Sequence, residues 1–312
     1  MTESLPRRMT KRWETFWFQD VPPDLFALLR IVFGALGLVS VLELTPVSML
    51  WAIDGIAPVP GSGLGVRSFL LDHGLGALSG WAYFLGSVAV FSSMTLGFMT
   101  RFAVWACFIA NAFLQSWNHL PLSGANQVLT SVLFCLVWAD CSGGPSVDTW
   151  LRERRGVQTD STAQPIWPLR LLRFQVCLIY FNSGISKFVY PVWRDGAAVH
   201  YAINLNIFHR FPWSLPPSLD WTTTIGTYVT LFWEITFPVM MLNRFTRRFA
   251  LLLGIALHVG MWSSLELGPF SFFMIASYLS FLDPVKFCER YSLRARALLK
   301  STPPISLTSI NS

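Results

Sequence analysis

Long, nearly uninterrupted apolar stretches alternate along the chain with short polar segments that are mostly basic. A helix needs about 20 mainly apolar residues to cross a bilayer. Eight stretches qualify: 24–44, 76–96, 102–118, 125–138, 169–189, 222–242, 249–265 and 270–282. The fourth and eighth are short, and are expected to sit in thin membrane or against protein. No period-two pattern of roughly ten-residue strands occurs, which argues against an outer-membrane barrel. The expected fold is an all-α polytopic membrane protein, a bundle of about eight transmembrane helices.

Composition agrees with that reading. Of 312 residues, 53% are apolar and only 13% are charged, with mean hydropathy +0.48. An average soluble domain carries roughly 25% charged residues. Disorder, a coiled coil and a soluble nucleic-acid-binding protein are thereby excluded, so the net charge of +6 is not a nucleic-acid footprint. The basic residues instead orient the chain. With the N-terminus inside, successive inner segments hold four, one, three, three and five Lys or Arg, sixteen in all. The outer loops hold three: Arg67, Arg194 and Arg210. The positive-inside rule then places both termini in the cytoplasm and favours an even number of spans.

The basic N-terminal cluster ahead of an apolar run resembles a signal peptide. The run from Leu25 to Leu44 is too long for one and lacks a small-residue cleavage site, so it is expected to stay as the first span. The five cysteines fall in spans or at inner ends, with no C-x-x-C pair, which argues against a disulfide framework or thiol exchange. No internal repeat is evident. Residues 1–23 form a cytoplasmic N-terminal segment. Residues 141–165, with Gly143, Gly144 and Pro145, read as a cytoplasmic linker within the 24–283 membrane domain. Residues 284–312 read as a cytoplasmic tail, partly disordered.

Ionisable groups at membrane depth are costly, so each is a functional candidate with a structural alternative. Arg30, early in the first span, and Asp140, ending the fourth, lie on one side and invite a structural pair. Arg170 and Arg173 stand where a snorkelling side chain reaches headgroups. Glu234 precedes Pro238 by one turn. The proline frees a carbonyl there, so Glu234 either faces a polar cavity or bonds a neighbouring helix. The histidines His73, His119, His200 and His209 map to the outer side, and His258 lies within the seventh span. Lys187 sits in Tyr180-Phe181-Asn182-Ser183-Gly184-Ile185-Ser186-Lys187-Phe188, at the outer end of the fifth span. It either snorkels or, in apolar surroundings, offers a neutral amine as a base near neutral pH. The following stretch, through Trp193, Arg194, Asp195 and Tyr201, is too polar to span and too aromatic for a plain loop. It is expected to lie along the outer interface as a lid.

These motifs resemble the HTTM family (horizontally transferred transmembrane domain), the membrane part of vitamin K-dependent γ-carboxylases and their bacterial relatives. The run Ile179-Tyr180-Phe181…Gly184…Lys187…Trp193-Arg194-Asp195-Gly196…Tyr201 is similar to the family signature. Leu28-Leu29-Arg30-Ile31…Gly34, Trp117-Asn118-His119, Glu234…Pro238…Arg247 and Leu257-His258…Phe270-Ser271-Phe272-Phe273-Met274 are similar to further family segments in the same order. The resemblance implies that Lys187 is the base that deprotonates a reduced, vitamin K-type quinone, with His119 and His258 in the same polar site. It implies a pocket that includes Asn118, Tyr180, Asn182, Ser183, Trp193, Arg194, Asp195, Tyr201 and Glu234, and no metal. Such chemistry needs a water-poor chamber, since solvent quenches a strong base. Two features depart from the carboxylases. The large soluble domain that follows their membrane part is not matched, and Ser186-Lys187 replaces two adjacent lysines. These departures favour a shared quinone-type pocket over γ-glutamyl carboxylation itself.

Three functions compete. The first is a carboxylase-like enzyme of the cytoplasmic (inner) membrane, its site facing outward, acting with a quinone on an exported peptide or small substrate. The second is a non-catalytic maturation or binding partner for an exported peptide. The third, a small-molecule transporter, is disfavoured because no inverted repeats or paired broken spans occur. The expected partners are the bilayer and a peptide or protein substrate, with no nucleic acid.

Overall fold

The computed structural model describes residues 5–44, 73, 76–117, 124–157, 163–205, 208, 210 and 215–290. Among the described residues the chain is all-α apart from one two-residue antiparallel pair, β1 (Asp20–Val21) with β2 (Gln164–Pro165). The helices are α1 (Leu5–Phe18), α2 (Asp24–Glu43), α3 (Gly76–Leu96), α4 (Thr100–Trp117), α5 (Gly124–Val137), α6 (Val147–Arg154), α7 (Trp167–Val189), α8 (Pro191–Arg194), α9 (Ala198–Asn204), α10 (Asp220–Met240), α11 (Arg244–Ser264) and α12 (Phe270–Ser277), which runs on as a 3₁₀ turn, Tyr278–Phe281. Each of the eight apolar stretches is thus a helix, with ends shifted by a few residues. Among the described residues, α2 is long and apolar enough to cross a membrane by length and composition. Gly80–Leu96, Gly124–Val137 and Phe270–Phe281 are apolar but shorter.

Two sets of helices share one core. On one side α2 packs on α3, α3 on α4 and α4 on α5; on the other α7 packs along α10, and α11 on α12. Helices α12 and α5 join the sets, α12 touching both α2 and α5, and α5 touching α7. Phe26, Leu29 and Phe33 of α2 meet Leu129, Leu133, Val176, Phe237 and Phe273 in one buried cluster. The outward faces are also apolar: Phe232, Leu242, Phe249 and Leu252 are exposed. A water-soluble bundle of this size would carry charge there, so the pattern is that of helices with lipid on the outside.

The polar end opposite Lys187 is organised more tightly than a linker. Ser146 caps α6 through Oγ, which accepts from Thr149 N at 3.0 Å. Asp148 then reaches back to α4, accepting from Met99 N at 2.9 Å, Thr100 N at 2.8 Å and Thr100 Oγ1 at 2.7 Å. Burial alone would raise the Asp148 carboxyl. The three hydrogen bonds, with Arg152 nearby, outweigh it and hold the carboxyl below its ordinary range. Arg30 is fully buried and donates to Met94 O at 3.3 Å and Pro145 O at 2.5 Å. It does not pair with Asp140, whose Oδ1 instead accepts from Ser142 N and Oγ. Gly97, at φ +72°, leaves room for the Arg30 guanidinium; a Cβ there would strike it and Ser146. Arg173 is likewise held by backbone carbonyls. Its Nε donates to Ser280 O at 2.6 Å and Nη2 to Leu282 O at 2.8 Å, so it staples α7 to the 3₁₀ turn.

Candidate functional site

Helix α7 places Tyr180, Ser183 and Lys187 on one face, because residues three, four and seven apart align on a helix. That face looks at α10. Gly184 lies between Ser183 and Lys187 and lets the two backbones close in. A Cβ there would stand 2.9 Å from Ile235 N and 3.0 Å from Glu234 Cβ. Lys187 Nζ donates to Glu234 Oε1 at 2.5 Å, to Oε2 at 2.6 Å and to Ser183 Oγ at 2.8 Å. The carboxylate is 8% exposed and the lysine 25%, so the pair is largely removed from solvent. The Trp193 ring adds a cation–π contact, its centroid 5.1 Å from Nζ.

Two turns before Lys187 on α7, Tyr180 OH hydrogen-bonds His258 Nε2 at 2.8 Å and Tyr278 OH at 2.6 Å. Tyr180, Trp233, Phe237, His258 and Tyr278 form a closely packed ring cluster around these atoms. His258 Nδ1 is buried without a hydrogen-bond partner among the described residues. Gly254, one turn before His258, makes room for Tyr278; a Cβ there would meet Tyr278 Oη and Trp233.

A cavity of about 470 Å³ opens between α7, α9, α10, α11 and α12. Lys187, Glu234, Ser183, Tyr180 and His258 all line it, while Val199, Ile203, Leu257, Met261, Phe270 and Met274 make its wall apolar. Its size falls in the range of about 300–1,000 Å³ found for small-molecule sites. Helices α8 and α9 cover one side as the expected lid, and they are pinned to α10. Tyr228 OH donates to Arg194 O at 2.9 Å, and Val199 N donates to Thr227 Oγ1 at 3.1 Å. At the bend between them Gly196 has φ +77°, and a Cβ would run into Thr224 and the Tyr228 ring.

Of the residues singled out in sequence, the structure brings Lys187, Glu234, His258, Tyr180, Ser183 and Trp193 to this cavity. Asn182, Arg194, Asp195 and Tyr201 are exposed and do not line it. Asn182 lies off the Lys187 face by helical geometry, and Arg194 and Asp195 sit at the turn out of α8. Asn118 and His119 lie outside the described residues. Tyr278, Thr230 and Ser264 are additional polar groups at or beside the site. Tyr278 carried a readable signal, a tyrosine inside an apolar span, but its partner on α7 is visible only in three dimensions.

The HTTM domain family model matches residues 18–285. The chain belongs to the HTTM domain family. This is a family of membrane proteins, and the match encloses both Lys187 and Glu234. Two proteins of Bacillus subtilis (strain 168) are similar to this chain. The sporulation-delaying protein SdpB is 27% identical over 174 residues, 54% of this chain, and the chain spans about half of that relative's length, 54%. The uncharacterized protein YitO is 21% identical over 307 residues, 96% of each chain. No solved structure matches.

Proposed function

We propose that this HTTM protein is an eight-span enzyme of the cytoplasmic membrane, with both termini inside, in which Lys187 and Glu234 move a proton on a lipid-soluble phenolic substrate such as a reduced quinone. The supporting observation is the Lys187–Glu234 contact of 2.5 Å at the wall of a mainly apolar cavity. An aromatic diol fits the donor set. The apolar wall would take the ring, the Lys187 amine would meet one hydroxyl, and His258 Nδ1 would offer a hydrogen bond to a second polar group. A reduced quinone, when bound, would supply an acidic phenol and reducing equivalents.

The chain's own contribution is the proton inventory. All three Nζ protons of a charged Lys187 have acceptors: both Glu234 oxygens and Ser183 Oγ. Passing one of them to Glu234 gives a neutral amine beside a neutral acid. The amine lone pair can then take a phenol proton while Glu234 stores the first. The base is therefore a two-residue unit rather than a lone lysine. Tyr180 holds His258 by Nε2 and fixes its ring; α8 and α9 cover one side of the cavity and limit water there.

The test is turnover. With purified protein and vitamin K hydroquinone under air, loss of the hydroquinone is followed by chromatography. Lys187→Ala is expected to slow it about 100-fold or more, the range for losing a general base. Full rate in a folded Lys187→Ala protein would sink the proposal. So would absence of both turnover and co-purified quinone in the wild type.

A second reading draws on the saturation of Nζ. If the pair is only a clip between α7 and α10, the protein is a binding or maturation partner for an exported peptide, and the cavity is a side-chain pocket. The likeness to SdpB, whose name attaches it to delay of sporulation, is compatible with this role. It predicts that a double variant apolar at both 187 and 234 keeps cellular function.

A further inference from the structure

A second cavity, of about 610 Å³, lies at the other end of α7, and it carries charge that nothing in the Lys187 chemistry uses. Arg170, Arg173 and Arg247 all line it. Arg170 is seventeen residues from Lys187, about 25 Å along the helix. The guanidinium groups are held in place without being neutralised. Arg247 donates through Nε at 3.0 Å and Nη2 at 2.8 Å to Met241 O, as Arg173 does to Ser280 O and Leu282 O. Arg170 stacks 3.8 Å from the centre of the Phe16 ring, and its Nε is buried with no hydrogen-bond partner among the described residues. Among the described residues no carboxylate forms an ion pair with any of the three. Asp283, the acidic group that acts on Arg173, caps the following turn by accepting from Val285 N and Lys286 N.

The rest of the cavity is apolar. Leu178, Phe181 and Leu242 line it while facing outward from the bundle, with 83% of Leu242 exposed. Phe174, Cys177, Pro238, Met241 and Phe281 line it as well, and Phe16 and Trp17 of α1 add a further side. That helix exposes Trp13 and Phe18 alongside Lys11 and Arg12, the arrangement of a helix lying in the headgroup layer. Three cations that form no ion pair among the described residues, beside an apolar groove open to the bundle's outside, call for a ligand that is both anionic and greasy.

We propose that this Arg170–Arg173–Arg247 cavity binds an anionic phospholipid, the phosphate against the guanidinium groups and an acyl chain along Leu178, Phe181 and Leu242. Guanidinium forks suit phosphate oxygens, and basic pockets between helices are the usual seats of anionic headgroups. The site is independent of Lys187, so its fate does not bear on the enzyme reading.

The experiment uses the full-length protein in neutral detergent doped with phosphatidylglycerol or with phosphatidylcholine of the same chains, and native mass spectrometry to count retained lipid. Phosphatidylglycerol is expected to be retained at least about tenfold better. Arg170→Gln, which removes a charge but no hydrogen bond made by Nε, is expected to cut retention about fivefold or more. Arg170→Lys is expected to keep most of it. Equal retention of the two lipids would overturn the proposal, as would unchanged retention in both Arg170→Gln and Arg247→Gln. Displacement of the lipid by millimolar inorganic phosphate would also overturn it, by showing a site for free anions.

Discussion

Lys187 and Glu234, forty-seven residues apart in sequence, share a contact of 2.5 Å because Gly184 lets α7 lie directly on α10. The ion pair and the helix contact are one feature. The lysine is positioned by a missing side chain one turn before it, and the carboxylate by the helix that fills the gap.

Breaking the pair on one side is expected to be worse than removing it whole. Lys187→Met leaves a carboxylate that is 8% exposed with Ser183 as its remaining neighbour. That should cost about 3 kcal/mol, the lower end for an orphaned buried charge. The double variant Lys187→Met/Glu234→Leu should recover most of that stability while hydroquinone turnover stays lost. Chemical unfolding in detergent measures the first part. A double variant as unstable as the single would show that the two groups do not compensate each other.

Gly184→Ala should destabilise by about 1–3 kcal/mol through overpacking. Its Cβ would stand 2.9 Å from a backbone nitrogen, which cannot swing aside as a side-chain end can. Gly260→Ala on α11 is the control, since no atom lies within 4 Å of the added carbon. Thermal melts of the two variants should separate clearly, and equal melting temperatures would refute the close approach.

The hydroxyl of Tyr180 holds two partners, so it should matter more than that of Tyr278. Tyr180→Phe strands both His258 Nε2 and Tyr278 OH, and should cost about 2 kcal/mol. Tyr278→Phe leaves the Tyr180–His258 bond intact and should cost about 1 kcal/mol or less. Reversal of that order in an unfolding series would mean that the network is wired differently.

Asp148 gives the polar end a pH dependence of known sign. Its carboxyl is held below the ordinary value of 3.8, so its contribution is present above that value and is lost as pH falls through the lower, folded value. Asp148→Asn should lower the melting temperature at pH 7, and the gap to wild type should close below about pH 4. A gap that stays constant between pH 7 and pH 3 would show that the charge plays no part.

Much of the fold was legible because a bilayer imposes a crude rule that a chain must obey locally. All eight apolar stretches are helices, and the helix ends at 96, 189 and 264 fall within a residue or so of the expected limits. Lys187, Glu234 and His258 stood out for the same reason, as charges or imidazoles where apolar residues prevail. What failed were the pairings. Arg30 suggested Asp140 by shared depth, yet its two terminal nitrogens donate to backbone carbonyls, and carbonyl positions carry no sequence signal. Arg194 and Asp195 looked like site residues from their place in a motif. The turn after α8 points them away from the cavity.

Hydropathy along the chain, read residue by residue, was enough to determine the helical class, the approximate limits of the long helices and the few ionisable groups set within them. Each is a property of a short segment and its own solvation. Only the tertiary structure decided that Glu234 answers Lys187, that Tyr180 joins His258 to Tyr278, and that three arginines at the far end of α7 share one groove. Those are contacts between helices, set by which faces meet and how closely glycines allow them to approach, and no segment carries that information alone.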